Sequence, residues 1–253
     1  MAASIDSLEA IPGSTSLLLP ERLSAANLRS AREPFAYLIA TGLLAEDART
    51  VLRDGFPLSA QAGFIPHEAD TCGSEINHLI AGITAPEFAD ALGDCLGVSQ
   101  LSAFPVLVTL CSRLNKRHGT IHTDSRSKIV SALLYLNEGW ITGSAGSLRL
   151  LADGDDIESL LIPEIPPLYG TLVAFRRSEN SFHGHLPFEG ERRVIQFVWL
   201  VDRDALERKT QRGHMQRLLK RMFGPLDRWL GSRRGVNAAH RDWAWAPRWD
   251  GDG

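Results

Sequence analysis

Two side chains that can bind a metal ion lie two residues apart in the sequence, His122 and Asp124. On an extended strand, residues i and i+2 point to the same face, so both side chains can converge on one point. A third ligand, His183, lies far downstream. Two imidazoles and one carboxylate make the facial triad that holds Fe(II) and leaves its remaining positions open for cosubstrate and oxygen. The spacing therefore predicts a non-haem iron oxygenase.

A lone arginine on an apolar strand supports this chemistry. His183 stands between two predicted strands, residues 170–175 and 193–200, and Arg193 heads the apolar row of the second one. A planar guanidinium on an apolar face needs a bidentate anionic partner, and a carboxylate fits best. A dicarboxylate cosubstrate that chelates the metal at one end would leave its far carboxylate for Arg193.

This order of motifs resembles the 2-oxoglutarate/Fe(II)-dependent dioxygenases, which have HxD, a distal His and an Arg or Lys a short way beyond. The run that ends in Tyr135-Leu-Asn137, then Trp140 and residues 146–151, is similar to the prolyl-4-hydroxylase branch. That resemblance implies that Tyr135 donates its hydroxyl to the cosubstrate carboxylate paired with Arg193.

The sequence departs from the family pattern in two places. Ala145 stands where the family often has the first glycine of a pair, and two arginines, Arg192 and Arg193, are adjacent. Arg193 is the predicted anchor because it stands six residues before Trp199, as the anchor does in relatives, and ten residues after His183.

The resemblance also implies the fold, the cofactors and the reaction. The expected fold is mainly β with flanking helices, an α+β arrangement around a double-stranded β-helix (jelly roll). The expected cofactors are Fe(II), 2-oxoglutarate and O2, with ascorbate as a further candidate. The expected reaction hydroxylates an unactivated C–H bond and converts 2-oxoglutarate to succinate. A prolyl or similar residue of a protein is the first substrate class. The alternatives are a small-molecule hydroxylase, or an idle sensor that binds iron and 2-oxoglutarate.

Two other histidines compete for the ligand roles. His118 precedes His122 by four residues and is expected in a loop, across Gly119 from the strand. His185 follows His183 by two residues and can share its face. His183 is preferred because of its spacing from Arg193, and His185 then becomes a contact to a ligand or to the substrate.

Composition narrows the class of protein. The chain has 253 residues, of which 44% are hydrophobic and 23% charged, which is ordinary for a globular domain. The formal net charge of −3 predicts no general affinity for nucleic acid. No apolar run is long enough for a transmembrane helix, and the first residues lack the features of a secretory signal. Three scattered cysteines form no disulfide framework, so a reduced, cytoplasmic location is expected.

The pattern along the chain predicts three parts. Residues 1–19 are expected to form a flexible arm, residues 20–202 the jelly-roll domain with its N-terminal helices, and residues 203–253 a helical basic extension. Helices are predicted over residues 45–54, about 75–83 and 86–96, with Gly97 as the stop of the last one. An early strand is predicted over residues 33–40. From residue 105, short β-branched and aliphatic runs separated by turns predict strands. Residues 55–74 are a candidate lid.

Overall fold

The computed structural model describes residues 17–23, 28–140 and 143–211. Most of the predicted N-terminal arm and residues 212–253, including the C-terminal tryptophans, lie outside the described residues. Residues 203–211 are helical. Within the described ranges, no helix combines the length and the apolar character needed to span a bilayer.

One large antiparallel sheet carries most of the fold. In the order in which its strands lie side by side, it comprises β1 (Leu28–Ala31), β2 (Tyr37–Ala40), β7 (Leu172–Arg176), β5 (Lys128–Tyr135), β9 (Gly190–Leu200), β4 (Val106–Leu114) and β3 (Ile65–Pro66). A small second sheet pairs β6 (Arg149–Leu150) with β8 (His183–Gly184). Isolated bridges such as Leu148 to Ile165 extend this smaller layer. The prediction of a mainly β jelly roll with flanking helices is confirmed.

Three helices cover one face of the large sheet. They are α1 (Arg49–Gly55), α2 (Ser74–Thr84) and α3 (Pro86–Leu96). The α3 helix has the bounds predicted from its sequence: proline occupies the first turn, and Gly97 ends the helix with φ +71°. The predicted helix over residues 45–54 is instead a 3-10 turn (Glu46–Ala48) followed by α1, and the early strand begins only at Tyr37.

Alternation along the central strands divides the core into two clusters. On β9, Ile195 and Phe197 belong to the cluster packed against the helices, whereas Val194 belongs to the cluster between the large and small sheets. On β5, Leu134 joins the helix side, and Tyr135 joins the inner side. Because successive side chains of a strand point to opposite faces, neighbouring residues on these strands contribute to opposite layers.

The region predicted as a lid contains structure of its own. β3 pairs with β4 at the edge of the large sheet, and a 3-10 turn follows at Ala69–Thr71. Gly63 N donates to the carbonyl oxygen of Arg113, which extends the contact along the same edge. Part of the predicted lid is thus held against β4 by backbone hydrogen bonds, and its role as a lid stays a prediction.

Candidate metal centre

The structure brings the three predicted metal ligands together. One ligand atom each of His122, Asp124 and His183 lies within 4.8 Å of the others, and the two imidazole ring centres are 4.3 Å apart. The backbones of the two histidines exchange both hydrogen bonds, at 3.1 and 3.0 Å. This bridge ties the connection between β4 and β5 to the start of β8. His122 and Asp124 therefore lie in that connection, before β5, rather than within one of the named strands.

Both histidines have one ring nitrogen committed to the backbone. His122 Nδ1 lies 2.8 Å from the carbonyl oxygen of Thr120, and His183 Nδ1 lies 3.0 Å from that of Ser181. A carbonyl oxygen only accepts, so each Nδ1 carries the proton and donates it. In a neutral imidazole this leaves Nε2 with a free lone pair, as a metal requires. The donor set and its tautomers fit a divalent cation.

Burial keeps His183 neutral. The removal of water around its ring, followed by the charge of nearby His122, lowers the pKa of His183 to about 4. A protonated imidazole cannot bind a metal, so this shift favours the ligand form at neutral pH. Phe175 packs against the same ring, with 4.4 Å between ring centres, and supplies part of the apolar surroundings.

Asp124 is a buried carboxylate with a donor on each oxygen. Lys128 Nζ donates to Oδ1 and Ser131 Oγ donates to Oδ2, both at 2.5 Å. The Asp124 carbonyl oxygen accepts from Arg177 Nε at 3.1 Å. Burial by itself raises the pKa of Asp124, but the charge of Lys128 and the two side-chain hydrogen bonds outweigh it. The pKa therefore lies well below its ordinary value, and the carboxylate is ionised.

A buried arginine and a buried tyrosine lie together in the inner layer. Arg192 Nη2 donates to the Tyr135 hydroxyl oxygen at 3.3 Å, and Arg192 Nε donates to the carbonyl oxygen of Gly146 at 3.0 Å. The Arg192 side chain stands over the Tyr135 ring, with its Cζ atom 5.1 Å from the ring centre. In the described part of the chain, no carboxylate forms an ion pair with Arg192, although only 2% of this residue is exposed. A buried charge without a counter-ion indicates an anion-binding position.

Arg193 points to the opposite face of β9. Its Nη1 donates to the carbonyl oxygen of Arg53 in α1 at 3.1 Å, and its Nε lies 2.7 Å from Glu191 Oε1. The predicted alternation was therefore right, because Arg193 does share a face with Ile195 and the other apolar residues. That face packs against the helices rather than around the triad. This placement does not support Arg193 as the cosubstrate anchor, which stays a prediction from the sequence, whereas Arg192 lies in the inner layer beside Tyr135.

The two competing histidines lie beside the triad. The His185 ring packs against Gly119, and its Nδ1 lies 2.8 Å from the Leu186 carbonyl oxygen. Burial, together with the charges of Arg192, His118 and His122, lowers the pKa of His185 to about 4. His118 lies in the turn after β4, with Nδ1 3.2 Å from the Asn115 carbonyl oxygen. The group of ligand atoms described above contains neither of them.

Sequence reasoning missed the residues that support the triad. Lys128 and Ser131 lie on β5, and the available signal was that Lys128 follows Asp124 by four residues and that Ser131 shares the face of Tyr135. Arg149 lies between two leucines, a pattern typical of a solvated strand face, yet only 4% of it is exposed. Its Nη1 pairs with Glu158 at 2.7 Å and its Nη2 with Glu164 at 3.1 Å. These two ion pairs explain how the interior accommodates the charge of Arg149.

A separate cavity of about 360 Å³ lies at the edge of the large sheet. Residues 57–61 and 65–66 line it, together with Thr71, Leu110 and Ser112. Leu110 belongs to the core cluster on the helix side of the sheet. The lining of this cavity includes none of the three predicted metal ligands.

One protein-family model matches a central part of this chain. Residues 109–201 match the family model of the 2OG-Fe(II) oxygenase superfamily, and this range contains the triad, Tyr135 and both adjacent arginines. No curated protein sequence matches the chain significantly.

Solved structures with a similar fold include several prolyl hydroxylases. A Pseudomonas putida prolyl-4-hydroxylase is 22% identical with a TM-score of 0.46, over 65% of this chain and 91% of that one. A prolyl 4-hydroxylase from Phytophthora capsici is 18% identical with a TM-score of 0.47, over 76% and 68%. The viral collagen prolyl hydroxylase of Paramecium Bursaria Chlorella virus-1 is 17% identical with a TM-score of 0.45, over 64% and 93%.

Proposed function

The chain belongs to the 2OG-Fe(II) oxygenase superfamily through residues 109–201, and on that premise we propose that it hydroxylates an unactivated C–H bond with 2-oxoglutarate as cosubstrate. The observation that carries the proposal is the convergence of His122, Asp124 and His183 within 4.8 Å. Two imidazoles and one carboxylate suit Fe(II) and leave coordination positions open. When bound, iron with 2-oxoglutarate and O2 would supply the oxidising chemistry and release succinate and carbon dioxide.

The chain's own contribution begins with the ligands. The carbonyl oxygens of Thr120 and Ser181 hold the imidazoles so that Nε2 is the binding atom in each. Asp124 supplies one negative charge, which lowers the net charge of a bound dication without filling its coordination shell. The apolar surroundings of His183, including Phe175, exclude water from this side of the site.

Arg192 and Tyr135 would bind the far carboxylate of 2-oxoglutarate. Arg192 supplies a buried positive charge that has no carboxylate partner among the described residues. Burial raises the pKa of Tyr135. Its hydroxyl therefore stays protonated and, while it accepts from Arg192, keeps a proton to donate to an anion. A guanidinium and a phenol that converge in the same layer provide a charged hydrogen bond and a neutral one for a single carboxylate. This replaces Arg193 in the predicted role.

For the substrate, we propose a prolyl or similar residue of a protein. The support is the motif set around Tyr135-Leu-Asn137 and Trp140, which resembles the prolyl-4-hydroxylase branch. A small-molecule substrate and an idle sensor use the same ligands and the same anchor, so only products distinguish them. Ascorbate as an additional cofactor and a cytoplasmic location stay predictions from the sequence.

The first experiment is an anaerobic absorbance titration of the metal-free protein with Fe(II) and 2-oxoglutarate. We expect a visible charge-transfer band in the wild type, no band in His122→Ala and a much higher cosubstrate requirement in Arg192→Met. The matched control is Arg193→Met, which should behave as the wild type. A folded wild type without any band would remove the proposal.

Product analysis then separates the substrate classes. Cell extract treated with the loaded enzyme is analysed by mass spectrometry, beside extract treated with His122→Ala. A protein that gains one oxygen supports the prolyl-type proposal, whereas a changed metabolite supports a small-molecule hydroxylase. Metal and cosubstrate binding without any product would support the idle sensor.

A further inference from the structure

The carboxylate of Asp124 accepts hydrogen bonds from two donors of different charge, and this difference affects how the carboxylate would bind a cation. Lys128 Nζ brings a full positive charge to Oδ1, and Ser131 Oγ brings a neutral hydroxyl to Oδ2. The carboxylate side chain is only 4% exposed and that of Lys128 only 17%. Solvent therefore screens their interaction far less than it screens a surface ion pair.

Both donors lie on β5, a central strand of the large sheet. β5 lies between β7 and β9 in the large sheet and forms hydrogen bonds with both. Asp124, by contrast, lies in the connection between β4 and β5. The hydroxyl of Ser131, which is 1% exposed, therefore attaches the carboxylate of a connecting segment to a central strand. Partners of metal-ligating carboxylates hold the ligand in the orientation that the metal needs.

On the basis of the proposed function, we propose that Ser131 positions Asp124 for the metal, whereas Lys128 limits the affinity of the triad for a divalent cation. Lys128 neutralises the same carboxylate that a dication would use, and the two positive charges would lie within a few ångströms of each other. Their repulsion opposes binding, and it is strong because the pair is buried. The consequence is a site whose metal exchanges more readily than the ligands alone would allow.

The opposite signs of the two effects make the proposal testable with Co(II) as the probe. Co(II) binding to the metal-free protein is measured by competition with a chromophoric chelator and by the visible d–d spectrum. We expect Ser131→Ala to weaken binding by about tenfold or more. Lys128→Met should tighten binding by about tenfold, and Lys128→Arg, which keeps the charge, should stay close to the wild type.

Thermal melting supplies a second readout that a purely structural role would not reproduce. Without Lys128, the buried carboxylate lacks its counter-charge, so metal-free Lys128→Met should melt below the metal-free wild type. Co(II) then replaces that counter-charge, so the rise in Tm on addition of Co(II) should be larger in the variant. If Lys128 had only a structural role, Lys128→Met would lower the Tm of the metal-free and the Co(II)-loaded protein equally.

The outcomes separate this inference from the proposed function. If the wild type fails to bind Co(II), or if His122→Ala binds it equally well, the metal centre itself is disproved. If the wild type binds, His122→Ala does not, and Lys128→Met binds with unchanged or weaker affinity, only the role of Lys128 is overturned. Ser131→Ala with unchanged affinity would overturn the positioning role. Should Lys128→Met not fold without a cation, Lys128→Gln gives the same test with an uncharged donor.

Discussion

Arg192 and Tyr135 meet across neighbouring strands, with 3.3 Å between the guanidinium Nη2 and the phenol oxygen. The register of β5 and β9 produces this contact, since Tyr135 lies opposite Val194 and Arg192 is two residues further along the same face. Arg193 is the next residue in the chain, yet its guanidinium bonds to α1 on the other side of the sheet. A difference of one residue thus separates the proposed anchor for the cosubstrate from a contact between layers.

Replacement of Arg192 tests this assignment directly. We expect Arg192→Met to weaken 2-oxoglutarate binding by about 2–5 kcal/mol, that is by roughly 30-fold or more, because the carboxylate would lose a buried charged partner. Arg193→Met removes the same charge one residue away, and its effect on cosubstrate affinity should be less than about twofold. Isothermal titration with 2-oxoglutarate on the Co(II)-loaded protein measures both. The assignment reverses if Arg193→Met produces the larger loss.

Tyr135→Phe removes only the hydroxyl that accepts from Arg192. The ring and its packing remain, so the free energy of unfolding should change by about 1 kcal/mol at most. Cosubstrate affinity should fall by about tenfold, because a carboxylate loses one hydrogen bond from a protonated phenol. The same titration checks this, with urea unfolding as the stability measurement. Unchanged affinity together with lower stability would show that Tyr135 is a core residue only.

His183 and His185 differ in their predicted roles although only two residues separate them. His183→Ala should abolish Co(II) binding, because it removes one ligand of the triad. His185→Ala should retain binding within about tenfold, since it lies beside the triad and outside it. Measurement of bound metal after gel filtration distinguishes the two variants. Complete loss on His185→Ala with binding kept in His183→Ala would exchange their roles.

Gly119 is required by two independent constraints. Its φ is +93°, and a Cβ at this position would overlap the imidazole ring of His185. Gly42 has a similar φ of +68° but nothing within 4 Å, so Gly42→Ala isolates the backbone cost, which is about 1–2 kcal/mol. Gly119→Ala should be clearly more destabilising than Gly42→Ala in urea unfolding. The double variant Gly119→Ala/His185→Ala should recover the part of the stability loss that exceeds that of Gly42→Ala. If the double variant recovers none of it, the clash does not involve the His185 ring.

Cys111 should be the least reactive of the three thiols. It is fully buried, and burial raises its pKa to about 11, so the thiolate that reacts with alkylating reagents forms only as the pH approaches that value. Cys72 and Cys95 are partly exposed. Iodoacetamide at pH 8 followed by peptide mapping should label Cys111 only after unfolding in urea. Labelling of Cys111 in the native protein at a rate equal to that of Cys95 would contradict its burial.

Much of the fold could be predicted because local patterns determine it. The bounds of α3 follow from proline in its first turn and from Gly97 at its end, and the strands follow from β-branched runs between turns. The His122–Asp124 spacing and the later His183 are likewise visible in the chain. Those three residues could be proposed as ligands before any coordinates, because few residue types suit Fe(II).

The sequence by itself determined which residues share a face, and only the tertiary structure decided which layer covers that face. Alternation correctly grouped Arg193 with the apolar residues of β9, but the helices pack there, which leaves Arg192 in the inner layer with Tyr135. The hydrogen bonds of Lys128 and Ser131 to Asp124, and the acids that pair with Arg149, likewise depend on packing between elements, and only the tertiary structure reveals them. Periodicity describes one element, whereas the partner of a buried charge depends on how separate elements pack.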